Sequence, residues 1–174
     1  MVASEDEIRL WDFFDHKEEA PELLTMLQPS MKVENLYINK NRDEDAAPLY
    51  VLTTCQNNFI LYQKRLEKKL SHEIDEGVTI TAAAFSKEST LLLIGTSTGK
   101  ILTFDISQDS KGCQTVGNPC QAGQDLPVTK IECLNSIEDN NAFIVIVDGK
   151  EVFIYNHDKG DLKAVDYGEE GADF

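Results

Sequence analysis

The chain has few basic residues and no long apolar run. Of its 174 residues, 16 are lysine or arginine and 31 are aspartate or glutamate, which gives a formal net charge of -15 at pH 7. A field of that sign repels phosphate backbones, so we expect no nucleic-acid partner. No stretch approaches the roughly 20 apolar residues of a membrane helix, and the acidic start at residues 5–7 differs from a signal peptide. We therefore expect a cytoplasmic protein with no membrane partner.

Metal and thiol ligands are also scarce. The chain has four cysteines, without a C-x-x-C pair, and three histidines. We expect reduced thiols, with a Cys113–Cys120 disulfide as the alternative. The acidic clusters at residues 43–45 and 169–170 lack the alternating oxygen ligands and the glycine of a calcium loop. The cationic run at residues 64–69 is interrupted by Glu67 and is interpreted as a solvated strand surface, with a local patch as the alternative. No metal or other cofactor is predicted.

One short pattern recurs four times along the chain. In its best copy, residues 99–105, a turn leads into an apolar run that ends near an aromatic residue. The aligned aromatic residues follow one another at spacings of 51, 42 and 51 residues, and they are Trp11, Tyr62, Phe104 and Tyr155. These spacings bracket the ~40 to 45 residues of a four-stranded propeller blade.

The segments between these aromatic residues predict strands. Apolar, β-branched runs of strand length precede each of the last three, at residues 33–38, 49–55, 78–85, 90–95, 128–134 and 142–147. A more polar segment follows each aromatic residue. These segments predict outer strands with one solvent-exposed face, at residues 22–28, 65–74, 113–125 and 161–167. Gly99, Gly149 and the pair Asn57-Asn58 supply hairpin turns. A helix is the alternative for residues 17–27.

Residues 81–106 resemble a WD40 repeat, through Ala84-Phe85-Ser86, residues 89–92, Gly95, Gly99 and Phe104-Asp105. Trp11-Asp12 is the Trp-Asp dipeptide from which that family takes its name. Ser71-His72 resembles the family's Gly-His dipeptide. The resemblance implies that the structural anchors of the blades are Trp11, Asp12, Tyr62, His72, Phe104, Asp105 and Tyr155. It places Trp11 between blades, with an exposed partner-binding role as the alternative, and makes His72 a hydrogen-bonding group at a strand entrance. Ser97 and Thr98 replace the family's turn aspartate and Phe104 its tryptophan, so we expect an incomplete polar network.

The predicted fold is all-β, a partial WD40 β-propeller of about three and a half four-stranded antiparallel blades. The third and outer strands of a first blade occupy residues 1–28. Further blades occupy residues 29–75, 76–125 and 126–167, and an acidic tail occupies residues 168–174. Known propellers have about four to eight blades, and open strand edges invite pairing. We expect a fragment completed by the remaining blades of a parent polypeptide, or a subunit completed by a partner or by self-association.

Two motifs in this region are typical of enzymes. Residues 95–99 match G-x-S-x-G, the turn that carries a hydrolase nucleophile, here Ser97. A strand follows instead of the required helix, so we interpret the motif as a hairpin turn. The same stretch is one residue short of a phosphate loop, and Ile101 replaces its hydroxyl residue.

His16, His72 and His157 have no companion nucleophile at a recognisable spacing. We predict no enzyme, with a hydrolase built on propeller loops as the alternative.

A non-enzymatic scaffold for other proteins is therefore the predicted function. Loops held by rigid strands, especially residues 39–47 and 108–124, are the predicted binding surface. The third unit, the long spacer after it and the divergent last unit also resemble the C-terminal propeller of apoptotic protease-activating factors. That resemblance implies a regulatory domain of an apoptosome adaptor that controls caspase activation. A structural subunit of a vesicle coat or a nuclear pore is the alternative.

Overall fold

The computed structural model describes residues 2–3, 7–12, 22–39, 49–63, 67–107, 114–134 and 141–166. All regular structure in these ranges is β-strand, which confirms the all-β prediction. No helix in the described part is long and apolar enough to cross a membrane. The strands are Val2–Ala3 (β1), Ile8–Asp12 (β2), Glu22–Leu27 (β3), Asn35–Ile38 (β4), Tyr50–Cys55 (β5), Asn58–Gln63 (β6), Glu67–Glu73 (β7), Ile80–Phe85 (β8), Leu91–Thr96 (β9), Lys100–Asp105 (β10), Gln114–Thr115 (β11), Cys120–Gln121 (β12), Val128–Cys133 (β13), Ala142–Val147 (β14), Glu151–Asn156 (β15) and Asp161–Ala164 (β16).

Four antiparallel sheets follow one another along the chain. The first sheet has the order β1-β2-β3, the second β4-β5-β6-β7 and the fourth β13-β14-β15-β16. In the third sheet β8, β9 and β10 lie side by side, and both β11 and β12 pair with β10. Within each sheet, consecutive strands are neighbours as in a chain of hairpins, except that β12 pairs with β10 instead of β11. The predicted domain division at residues 28, 75, 125 and 167 stays a prediction.

Most strands lie where the apolar runs predict them, and two features were missed. Strand β1 adds a third strand to the first sheet, since Val2 and Ala3 pair with Arg9 and Ile8. The outer strand of the third sheet is split into β11 and β12. Between these two pieces Gly117 has a φ of 75°, and Pro119 has no N–H to donate. The chain therefore leaves the ladder there and rejoins it near Cys120.

The helix considered for residues 17–27 is wrong where the structure describes this segment, because residues 22–27 form β3. Its register with β2 puts Leu27 opposite Ile8 and Met26 opposite Arg9. Pairing with a neighbouring strand outweighs the helix propensity of glutamate and leucine. The remainder of that predicted helix, residues 17–21, lies outside the described residues.

The hairpin turns use left-handed residues, as predicted. Gly99 has a φ of 78° between β9 and β10, and Asp148 and Gly149 have φ values of 50° and 68° between β14 and β15. The turn predicted at Asn57-Asn58 is wrong by one residue. It consists of Gln56 and Asn57, with Gln56 at a φ of 52°, while Asn58 begins β6.

Three apolar clusters join the four sheets, each formed between two consecutive sheets. Side chains alternate along a strand, so one set faces the preceding sheet and the other faces the following sheet. In β9, Leu92 and Ile94 belong to the cluster with the second sheet, whereas Leu91 and Leu93 belong to the cluster with the fourth. The core therefore lies between the sheets, as a stack requires.

Gly95 in β9 lies directly against Val128 of β13, so the third and fourth sheets meet closely there. A Cβ atom built on it would lie 2.6 Å from Cγ1 and 2.7 Å from Cβ of Val128. Both distances are well inside van der Waals contact. Only glycine at this position lets β13 approach β9 so closely.

We expect Gly95→Ala to lower the free energy of unfolding by about 1–3 kcal/mol, the usual cost of overpacking. Urea unfolding measures this change. Val128→Ala removes the obstructing atoms, so the double variant should lose less than the two single variants together. Additive losses would show that Gly95 does not act through Val128.

Candidate partner-binding groove

The first strands of the second, third and fourth sheets are β4, β8 and β13, and we call them the inner strands. They lie next to one another, with β8 in contact with both others. They line a groove of about 530 Å³. Each of the three pairs with a single neighbour among the described strands, so one edge of each faces away from its own sheet. Side chains along the groove include Thr81, Ala84, Lys87, Lys130, Glu132 and Cys133. The groove follows directly from the stacking, because stacking brings the inner edges of successive sheets together.

A threonine hydroxyl joins two sheets at one end of the groove. Thr81 is the extra residue of a β-bulge, since the register between β8 and β9 shifts between Ile80 and Ala82. Its Oγ1 lies 2.7 Å from the carbonyl oxygen of Val128 and 3.2 Å from that of Gly95, and it donates towards both. The bulge thus turns a polar side chain towards the fourth sheet.

A buried asparagine joins two sheets at the other end. Asn39 is 4% exposed, its Nδ2 donates to Ser89 Oγ at 2.9 Å, and its Oδ1 accepts from Tyr50 N at 2.8 Å. The Tyr50 ring also stacks on Phe85 with centroids 6.1 Å apart. These contacts fix the end of β4 against the turn between β8 and β9, so the groove wall is held by polar as well as apolar contacts.

The accessible charges of the groove are few. Lys130 Nζ lies 2.9 Å from Glu132 Oε1, and these two side chains are 56% and 61% exposed. Such a surface pair contributes little to folding stability. Both charges can therefore be reorganised by a bound partner at low cost.

Cys133 also lines the groove. Burial raises the pKa of its thiol, and the backbone and the charge of Lys87 offset part of that rise. The neutral thiol therefore dominates near pH 7, and a neutral thiol is a poor nucleophile and metal ligand. This chemistry suits a contact surface.

Three of the predicted blade anchors occupy equivalent positions. Tyr62, Phe104 and Tyr155 lie on the third strand of the second, third and fourth sheets and are 3%, 1% and 5% exposed. Each belongs to the apolar cluster shared with the preceding sheet, where Tyr62 meets Ile8 and Phe104 meets Phe59. All three aromatic rings thus fill the same gap in successive pairs of sheets.

Trp11 holds the corresponding backbone position in the first sheet. A register shift between Leu10 and Trp11 matches the shift between Leu61 and Tyr62. The side chains of Trp11 and Asp12 lie outside the described part of the structure. The proposed roles of these two residues therefore stay predictions.

His72 lies in the outer strand β7, and its ring packs between aromatic rings. Its centroid is 5.6 Å from that of Phe59 and 5.2 Å from that of Phe104, and those two phenylalanines are 5.2 Å apart. This triad joins the second and third sheets.

The Asp105 carboxylate accepts a hydrogen bond from Ser107 N at 2.8 Å, which closes the end of β10.

The G-x-S-x-G motif occupies the turn between β9 and β10, as the hairpin interpretation requires. Ser97 Oγ accepts a hydrogen bond from Thr79 N at 3.1 Å, and Thr96 Oγ1 accepts one from Lys100 N at 3.0 Å. These two hydroxyls hold the turn between β9 and β10. No group of three or more metal-ligating side chains occurs within the described ranges. His16 and both acidic clusters lie outside those ranges.

Sequence reasoning singled out neither Thr81 nor the pair Lys130 and Glu132. The signal for this pair was present, because charged residues alternate with apolar ones in β13. That alternation marks an exposed face, but it does not show that the face borders a groove.

A family model describes the fold independently. Residues 51–167, about two thirds of the chain, match the model described as Nucleolar protein 10-like, N-terminal domain, a β-propeller. This chain belongs to that family. The match confirms the predicted β-propeller, and the four stacked sheets make it a partial one. No comparison supports the further resemblance to apoptosome adaptors, and no curated protein matches the chain.

We expect Cys133 to react slowly with iodoacetamide at neutral pH and to speed up only above the ordinary pKa of a thiol, because its folded-state pKa is raised. Lys87→Ala removes a positive charge that lowers this pKa, so the midpoint of the rate profile should move to higher pH. Peptide mass mapping at a series of pH values measures the reaction at each cysteine. A midpoint that falls in the variant would contradict the assigned role of Lys87.

Proposed function

We propose that this chain is a non-enzymatic interaction platform that binds an extended segment of another protein in the groove between β4, β8 and β13. The observation that carries the proposal is the meeting of three singly paired strand edges in one groove of about 530 Å³. Strand edges present backbone N–H and C=O groups to an incoming peptide. Membership of a β-propeller family supports the same general role.

The net charge of the whole chain favours a basic, extended partner, although the charged side chains that line the groove are two lysines, Lys87 and Lys130, and one carboxylate, Glu132. Small side chains such as Thr81 and Ala84 leave room for a peptide backbone, and Glu132 offers a carboxylate. The net charge of -15 accelerates encounter with a basic protein and disfavours nucleic acid. The binding surface that the sequence predicts at the loops of residues 39–47 and 108–124 stays a prediction, and residues 40–47 and 108–113 lie outside the described part.

More specific roles stay predictions. Control of caspase activation in an apoptosome and a place in a vesicle coat or nuclear pore each require a partner of known identity. The cytoplasmic location expected from the sequence also stays a prediction. The name of the family supports the nucleolus as the alternative location. Imaging of the tagged chain beside a nucleolar marker distinguishes the two locations.

Charge reversal in the groove tests the proposal. Glu132→Lys should reduce capture of basic proteins from cell extract at least about tenfold, because it replaces an attractive charge with a repulsive one. The control Glu76→Lys makes the same change in net charge in an exposed turn outside the groove. Quantitative mass spectrometry compares the captured proteins. Equal capture by both variants would contradict a binding role for the groove.

Ser97→Ala separates a platform from a hydrolase. We expect generic ester turnover to equal that of the unmodified chain, and we expect a loss of about 1 kcal/mol in the free energy of unfolding from the lost hydrogen bond to Thr79 N. An esterase assay and urea unfolding measure the two quantities. Turnover that disappears while the fold is retained would establish the hydrolase alternative.

A further inference from the structure

The groove edge of β8 carries main-chain groups that the third sheet does not use. Ser86 N donates to Leu91 O at 2.9 Å, so these two residues form a hydrogen-bonded pair at the turn end of the ladder between β8 and β9. Hydrogen-bonded and non-hydrogen-bonded pairs alternate along an antiparallel ladder. The register therefore makes the pairs of Ala83 and Phe85 with β9 non-hydrogen-bonded. The N–H and C=O groups of these two residues point away from β9, towards the groove.

These main-chain groups have no hydrogen-bond partner within the described part of the chain. Ala83 and Phe85 are only 7% and 6% exposed, and both line the groove. Main-chain groups at such depth are almost always hydrogen-bonded in proteins. An added strand can bond both residues at once, because the groups that face one edge of a strand recur every second residue.

The other end of the same edge is already occupied. Ile80 N donates to Gln56 O at 2.7 Å, in the turn between β5 and β6 of the second sheet. Thr81 follows as the bulged residue, and its hydroxyl is bonded to Val128 O. The part of the edge that is open to a partner is therefore residues 83–85.

The side chains distinguish β8 from the other two inner strands. The same counting directs main-chain groups of Leu36 in β4 and Ile131 in β13 towards the groove. Residues 82–84 of β8 are three alanines, whereas the corresponding residues are Asn-Leu-Tyr at 35–37 and Lys-Ile-Glu at 130–132. Small side chains on the receiving strand leave room for larger ones on an added strand. Strand β8 also contacts an inner strand on each side, so an added strand meets a wall on both of its faces.

We propose that the segment bound in the groove is a β-strand that pairs with β8 alone, through the N–H and C=O groups of Ala83 and Phe85. This inference rests on the proposed function of the groove and names the chemistry of its partner. Two residues with one donor and one acceptor each allow four hydrogen bonds. The partner must therefore offer free N–H groups on alternate residues, along one edge of an extended stretch. Its other edge takes no part, so proline is tolerated there.

Nuclear magnetic resonance titration of the isotope-labelled full chain tests this pairing. The probe is the octapeptide Lys-Thr-Val-Thr-Val-Thr-Val-Lys, because β-branched residues favour an extended backbone and lysines suit a chain of net charge -15. We expect the amide signals of Ala83 and Phe85 to move downfield and their exchange with solvent to slow. The amide of Ala84 faces β9 and should change little.

Two modified probes separate pairing along one edge from other modes of binding. N-methylation of every second residue blocks one edge of the probe and leaves the other free, so binding should be retained. N-methylation of every residue blocks both edges and should weaken binding at least about tenfold. Both modifications change only the probe, so the fold of the protein is not disturbed.

A substitution in β8 gives a second measurement. Ala83→Pro removes one unpaired N–H and leaves the ladder with β9 intact, and proline is tolerated at such an edge. It should weaken binding of the unmodified probe at least about tenfold. The control Leu36→Pro makes the same change at the edge of β4 and should leave binding unchanged. Circular dichroism checks both folds, and the modified probes decide the question if either variant is unfolded.

Three results would overturn pairing with β8 alone. Equal binding of the fully N-methylated probe would show that side chains drive binding. Loss of binding with one blocked edge would show that a second strand also pairs, and signals that move only in β4 or β13 would place the probe elsewhere; the groove stays a binding site in these cases. No binding of the unmodified probe overturns the pairing too, and the comparison of Glu132→Lys with Glu76→Lys then decides separately about the groove.

Discussion

Apolar side chains on both faces of the second and third sheets are the constraint on which the rest of this structure depends. A strand in the second or third sheet cannot leave either side in water, because successive residues point to opposite faces and both sets are apolar. Stacking satisfies both faces at once. It explains the clusters between consecutive sheets and the glycine at position 95, where a Cβ atom would collide with Val128 of β13.

The groove is a consequence of that stacking. Sheets that stack with a common direction bring their inner edges to one side, and β4, β8 and β13 meet there. Polar contacts at the two ends of the groove, from Thr81 and Asn39, fix neighbouring sheets to each other. A partner would therefore meet a prearranged surface, which lowers the ordering cost of binding. The neutral thiol of Cys133 belongs to the same surface.

The same rule decides which sheet faces are buried. Internal faces are buried because a neighbouring sheet follows, whereas Ile154 and Met26 lie where the described sheets end. Membership of the Nucleolar protein 10-like family fits such a molecule, since its shared feature is the propeller domain.

The sequence by itself determined the strands, most turns and the repeating aromatic positions. Alternating and apolar runs have a period of two, and Gly99 and Gly149 mark turns through their tolerance of positive φ. Local pattern also misplaced one turn at Gln56 and missed β1, which is two residues long and exists only through its pairing with β2. Only the tertiary structure decided which faces meet, that Thr81 bridges to Val128 and that Lys130 and Glu132 border a groove. Such contacts join residues far apart in sequence, and a local pattern carries no information about which distant strand will cover a given face.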